Sequence, residues 1–269
     1  MARMNMKPLI KATFVGIGVG MLLSGPVSAQ RDFSNVEITT VELGEGLFML
    51  QGAGGNIGLS IGEDGPFVID DQFAPLSEKI TAAISEVSDQ SVAFVLNTHY
   101  HGDHTGGNEA FGKAGAHIVA HENVRTRLLE GVTSADNGVD DGLPVITFSH
   151  SMTFHWNGQE IYIWHPKPAH TDGDAIIYAK DANVVHMGDV FFNGGYPYID
   201  IDAGGDLSGY IETHDSVLAM INEDTKIIPG HGPLASKSDL EKTASMLKDV
   251  KARIQNLINQ GMSEDAVVA

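Results

Sequence analysis

The stretch Thr98 to Gly107, THYHGDHTGG, constrains this chain more than any other. It follows Val92–Leu96, VAFVL, an apolar run that reads as a buried strand. A strand end holds its backbone rigidly, and the loop after it lets side chains converge. His99 and His101 are two apart in an extended segment, so both project to one side. Asp103 and His104 lie further round the turn. Gly102, Gly106 and Gly107 let the backbone bend sharply there. A His-x-His-x-Asp-His pattern in this setting reads as a metal site, with far more specificity than an isolated His-x-His.

The chain contains no cysteine, so a metal must be held by imidazole and carboxylate. Three more candidates occupy similar strand ends with Gly- or Pro-containing loops. They are His170 in PAHTDGD, Asp189 in HMGD and His231 in IPGHGP. With the first cluster they supply five histidines and two aspartates, enough for two zinc ions with positions left open for water or substrate. The same donors suit manganese or iron. His117, His121, His150, His155, His165, His186 and His214 read as structural or surface residues.

Short apolar runs punctuated by glycine fill the first third. Val36–Leu43, Leu47–Gln51, Asn56–Ile61 and Phe67–Asp70 read as a meander of hairpins. A helix with Leu76, Ile80, Ala83, Ile84 and Val87 on one face follows. His117–Ala120 reads as a strand, Glu122–Leu129 as a helix and residues 131–144 as a surface loop. Four strands are expected at Met152–Trp156, Ile161–Trp164, Ala175–Ala179 and Val184–Met187. A helix over Leu207–Ile221 has Asp206 as its N-cap, and a strand lies at Lys226–Ile228. The last helix is expected to start at Ser238, with Ser238 and Glu241 as a capping box. Its predicted apolar face is Leu240, Ala244, Leu247, Ile254 and Leu257, and another element begins after Gly261. Strands then helix occur twice, which predicts a layered α/β domain with two sheets.

Residues 1–29 differ from the rest. Arg3, Lys7 and Lys11 precede the apolar run Ala12–Leu23, and a small residue, Ala29, closes the segment. That order predicts a signal peptide over residues 1–29, a single domain over residues 30–269 and a periplasmic or secreted location. The net charge of −19 argues against nucleic acid as a partner. No later apolar run reaches membrane-spanning length, so no membrane association is expected once the signal is cleaved.

Two other motifs read as structural. Gly58 to Gly62, GLSIG, matches G-x-S-x-G, but Ser60 lies within a strand-like run and lacks the strand–turn–helix setting of a nucleophile. Gly52 to Gly55 reads as a hairpin tip, since no helix follows to complete a phosphate loop.

The order His99, His101, Asp103, His104, then His170, Asp189 and His231 resembles the metallo-β-lactamase superfamily over nearly the whole chain after the first segment. The resemblance implies a four-layer αββα sandwich with the metals at one edge of the sheets. It places His99, His101 and His170 on one ion. Asp103, His104 and His231 fall on the other, with Asp189 bridging or ligating the second. Asp70 corresponds to an early aspartate that supports the metal loop, although a turn-capping role fits it equally. Asn193 and Tyr196 become candidate substrate contacts, and Tyr100 is expected to point away into packing.

The implied activity is hydrolysis of a small acyl substrate, with metal-bound hydroxide attacking a carbonyl and Asp103 orienting it. An exported β-lactam hydrolase is the first expectation; a lactonase or a glyoxalase-II-like thioesterase is the alternative. Many zinc β-lactamases carry cysteine where this chain has Asp189, and lysine where it has Phe192. A mononuclear iron dioxygenase and a metal-binding protein without turnover are more distant readings.

Overall fold

The computed structural model describes residues 32–131 and 139–268. The expected signal peptide lies outside the described residues, as do residues 132–138, half of the loop expected at 131–144. From Phe33 onward the chain packs as one unit.

One sheet holds β1 (Thr39–Gly44), β2 (Leu47–Gln51), β3 (Ile57–Ser60), β4 (Phe67–Ile69), β5 (Phe94–Leu96), β6 (His117–His121) and β7 (Ile146–Phe148), side by side in chain order. β1 to β4 are antiparallel, and β4 to β7 are parallel. Parallel neighbours need crossovers. α1 (Ser77–Ser85) joins β4 to β5, α2 (Gly102–Thr105) and α3 (Asn108–Lys113) join β5 to β6, and α4 (Glu122–Gly131) leads toward β7.

The second sheet holds β8 (Ser151–Trp156), β9 (Gln159–Trp164), β10 (Ile176–Ala179), β11 (Val184–His186) and β12 (Lys226–Ile228), in the order β12-β11-β10-β9-β8. α5 (Leu207–Met220) crosses from β11 to its parallel neighbour β12. α6 (Lys237–Asn259) and α7 (Glu264–Val268) follow.

Burial explains the strand sequences. β4 and β11 are buried at every position, and β4, FVI, reads as an unbroken apolar run, as a strand covered on both faces does. β9 alternates buried and half-buried residues, because one face meets the core. Ile80, Ile84 and Phe111 pack with Leu59, Val68 and Val95, so α1 and α3 cover the outer face of the first sheet. Tyr210, Val217, Leu240 and Leu247 pack with Ile176, Val185 and Ile227, so α5 and α6 cover the second. Between the sheets, Phe67, Ile69 and Leu96 meet Ile161, Ile163 and Ile177. The result is the four-layer αββα sandwich.

Several local expectations need correction. β7, α2 and α3 carry no expectation from the sequence. α6 starts at Lys237, with Ser236 and Asp239 forming the reciprocal capping box in place of Ser238 and Glu241. Ile254, expected on the buried face, is exposed. Asp206 caps α5 as expected, its side chain accepting from Gly209 N. The described residues contain no helix long and apolar enough to cross a membrane.

Candidate metal centre

The donors gather at the carboxyl ends of strands from both sheets. His99, His101, Asp103 and His104 follow β5, His170 lies between β9 and β10, Asp189 follows β11, and His231 follows β12. Their ligand atoms form two groups, each within 4.8 Å: His99, His101, His170 and Asp189, and Asp103, His104 and His231. All seven residues expected from the sequence are thus brought together.

Asp189 faces both groups. Its Oδ2 lies 3.8 Å from His99 Nε2 and 3.5 Å from His170 Nε2. Its Oδ1 lies 3.1 Å from His104 Nε2 and 3.4 Å from His231 Nε2. That Oδ1 is buried without a hydrogen-bond partner. The imidazole nitrogens also converge on one another: His101 Nδ1 lies 3.1 Å from His99 Nε2 and 2.9 Å from His170 Nε2. One proton satisfies at most one such pair, whereas a shared cation satisfies every lone pair at once. The donor set therefore fits two divalent ions.

Four imidazoles have their other nitrogen fixed from outside. His99 Nδ1 meets Thr98 Oγ1 at 3.0 Å, and that hydroxyl is already committed as donor to Asp70 Oδ2 at 2.7 Å. His101 Nε2 meets Asp200 Oδ2 at 2.9 Å. His104 Nδ1 meets Asp70 Oδ2 at 2.7 Å, and His170 Nδ1 meets the Tyr198 carbonyl at 2.8 Å. Each acceptor takes the outward N–H and leaves the inward lone pair free. Asp70 thereby supports the metal loop rather than capping a turn. Tyr100, expected in packing, instead donates from its hydroxyl to Asp200 Oδ2 at 2.7 Å.

Electrostatics at His99, His170 and Asp189 suits ligation, which needs neutral imidazole and ionised carboxylate, and His104 is the exception. Burial pushes His99 and His170 below the usual histidine range. Burial would raise Asp189, but His104 and His99 outweigh it and hold the carboxyl well below its ordinary value. For His104, burial acts downward, and the carboxylates of Asp189 and Asp70 overcome it to raise the group.

Close backbone approach is the other requirement. A Cβ on Gly55 would come 2.1 Å from His104 Cε1, and one on Gly230 2.0 Å from Asp189 Oδ1. The β2–β3 hairpin tip packs on the metal loop, with Gly55 N donating to Asp103 O at 3.0 Å. Ser60 is buried and receives a bond from Asn157 Nδ2.

The two proposed substrate contacts lie elsewhere. Asn193 Nδ2 donates to Pro233 O at 3.0 Å, and Tyr196 is 84% exposed. The rings beside the donors are their neighbours. Phe192 stacks on His231, and Tyr198 stands 5.8 Å from His170. Asp200 was not legible as a site residue. Asp200 lies 99 positions from His101, and no local pattern marks it. Asp200→Ala is expected to lower metal affinity by about 10- to 100-fold, measured by competition with a chromophoric chelator.

α5 pins the turn that carries Asp189. Tyr210 Oη donates to Asp189 O at 2.9 Å, and His214 Nε2 donates to Val190 O at 2.6 Å. Burial pushes His214 down to about 4 from 6.5. Between those values the unfolded chain binds a proton that the folded chain excludes, so stability falls as pH drops from 6.5 toward 4. The loss approaches roughly 3 kcal/mol at the acid end. His214→Gln should flatten that part of the pH profile in urea melts.

A family model described as the metallo-beta-lactamase superfamily matches residues 54–231, more than half of the chain. The chain is 27% identical over 192 residues to a hydroxyacylglutathione hydrolase of Nitrosococcus oceani, covering 68% of this chain and 67% of that protein. It is 30% identical over 159 residues to a hydroxyacylglutathione hydrolase of Polaromonas, covering 58% of this chain and 55% of the relative. A metallo-beta-lactamase from Pontibacter korlensis superposes with a TM-score of 0.67 at 20% identity, over 79% of this chain and 99% of that one. The last likeness concerns the fold alone. This chain belongs to the metallo-beta-lactamase superfamily, and it is a metal-dependent hydrolase.

Proposed function

We propose that the chain is an exported two-zinc hydrolase that opens an ester-type acyl bond, a thioester or a lactone, in a small molecule. The observation that carries this is Asp189, a buried carboxylate with one oxygen toward each donor group. Sequence likeness to proteins named hydroxyacylglutathione hydrolase supports the ester-type bond. Export rests on the charged, apolar and small-residue order of residues 1–29.

His99, His101, His170 and Asp189 would hold one ion; Asp103, His104 and His231, with the second oxygen of Asp189, would hold the other. Zinc in these positions supplies Lewis acidity toward a carbonyl oxygen and a lowered pKa for water. Asp103 is the donor carboxylate that meets solvent, 26% exposed, with Oδ2 3.4 Å from His231 Nε2. It can orient the attacking water and accept its proton. Thr98, Asp70, Asp200 and the Tyr198 carbonyl keep the imidazoles aimed inward during turnover.

A β-lactam amide is the second reading, favoured by the signal-like order of residues 1–29, which would place the site where such compounds are met. Hydrolysis of a thioester, a lactone and nitrocefin, each with and without EDTA, separates the two. Turnover of the first pair that EDTA abolishes and zinc restores is expected. With metal content confirmed at two zinc per chain, inertness toward all three would end the proposal.

A further inference from the structure

Three donors meet solvent: His101 at 21%, Asp103 at 26% and His231 at 30% exposure. His99, His104 and His170 are buried. A substrate therefore reaches the centre across His101, Asp103 and His231. Two aromatic rings stand against that exposed edge. Phe192 lies nearly flat on His231, with ring centroids 5.0 Å apart and planes at 18°, and is 6.4 Å from His170. Tyr198 is 6.2 Å from His101, and its ring is largely exposed.

The backbone ties both residues to the site. Phe192 bridges His231, and Asn193 N donates to His231 O at 2.9 Å. The Tyr198 carbonyl accepts from His170 Nδ1. Both residues are consequently held beside the donors.

No lysine or arginine among the described residues forms an ion pair or hydrogen bond with Asp103, Asp189 or Asp200. Arg127, the cation over the Tyr100 ring, gives Nε and Nη2 to Asp172, each at 2.7 Å. Residues 132–138 contain no lysine or arginine, and the chain as a whole carries −19. An anionic group placed beside the metals would lose water against the two aromatic rings, and no lysine or arginine is tied to the site's carboxylates to receive it. An uncharged ring or branched alkyl group would bury apolar area there and stack.

We propose that this mouth selects an uncharged acyl compound, with an apolar group seated between Phe192 and Tyr198, over one carrying a carboxylate near the scissile bond. The proposal rests on the hydrolase reading above and narrows its substrate class. Glutathione thioesters and β-lactams carry carboxylates, so it favours simple thioesters and lactones with apolar chains.

The test compares phenylacetyl and succinyl thioesters of one thiol on the zinc-loaded protein. The phenylacetyl compound should lead in kcat/KM by at least about tenfold. Phe192→Ala should shrink that lead, chiefly through KM, with zinc content unchanged. Phe192→Lys should shift preference toward the succinyl compound. A second readout is binding of phenylacetamide and succinamate by saturation-transfer NMR. Phenylacetamide should bind to the native chain and lose its signal in Phe192→Ala, while succinamate should not bind. If no thioester or lactone is turned over but phenylacetamide binding depends on Phe192, the hydrolase reading falls and the mouth assignment stands. Equal handling of the two thioesters, tighter binding of succinamate, or a preference unmoved in Phe192→Ala overturns the assignment.

Discussion

With the proposed two-zinc centre, Asp189→Asn is expected to leave the chain folded while dropping its zinc content from two to at most one per chain and its hydrolysis by about a hundredfold or more. The asparagine keeps the shape of the side chain. It replaces one oxygen with an amide nitrogen that carries protons. In one orientation those protons face His104 and His231, in the other His99 and His170. Either way a donor points at lone pairs that must converge on a cation. Tyr210 and His214 still hold the turn through the backbone of residues 189 and 190, so the loss is confined to the site. Circular dichroism should be unchanged, and elemental analysis by mass spectrometry reads the metal. A variant that kept two zinc ions and activity within threefold would show that Asp189 is no shared ligand.

The donors were legible because each follows a short apolar strand and precedes a turn rich in glycine or proline. A sandwich aligns such strand ends along one edge, so residues as distant as His99 and His231 meet without local pairing between them. What stayed hidden has specific causes. The capping box of α6 moved because Ile227 and Ala235 exchange backbone hydrogen bonds at 2.9 Å, which keeps the chain extended up to Ser236. The pattern at Ser238 and Glu241 was sound in isolation and was overridden by that pairing. α2 and α3 lie inside a glycine-rich stretch that promises turns, but the carbonyls of His101 and Gly107 accept the first helical bonds.

Asn193 turns away from the donors for a related reason. Neighbours in extended backbone face opposite ways. The bridge between Phe192 and His231 therefore turns Phe192 onto the imidazole and Asn193 toward Pro233. Nothing local to residues 191–198 sets that register. It comes from β12, whose loop carries His231, so only the assembled second sheet decides which side chains face the metals.

Asp70 separates stability from metal positioning. Its side chain, fully buried, accepts from Thr98 N at Oδ1 and from Thr98 Oγ1 and His104 Nδ1 at Oδ2, all at 2.7 Å. Its φ is 62°, a left-handed conformation that asparagine tolerates and alanine disfavours. Asp70→Ala strands three buried donors and strains the backbone, so a loss of about 3–5 kcal/mol is expected in denaturant melts. Asp70→Asn keeps the acceptor for Thr98 N, and its amide can donate to Thr98 Oγ1. It cannot accept from His104 Nδ1. That imidazole must then carry its proton on Nε2, the nitrogen that lies 3.1 Å from Asp189 Oδ1 and faces the ions. The asparagine variant should recover most of the stability lost by alanine, yet bind zinc about 10- to 100-fold more weakly than the native chain. Parallel loss of stability and affinity in the two variants would mean that Asp70 only props the loop. A gap between them would show that it also sets the His104 tautomer.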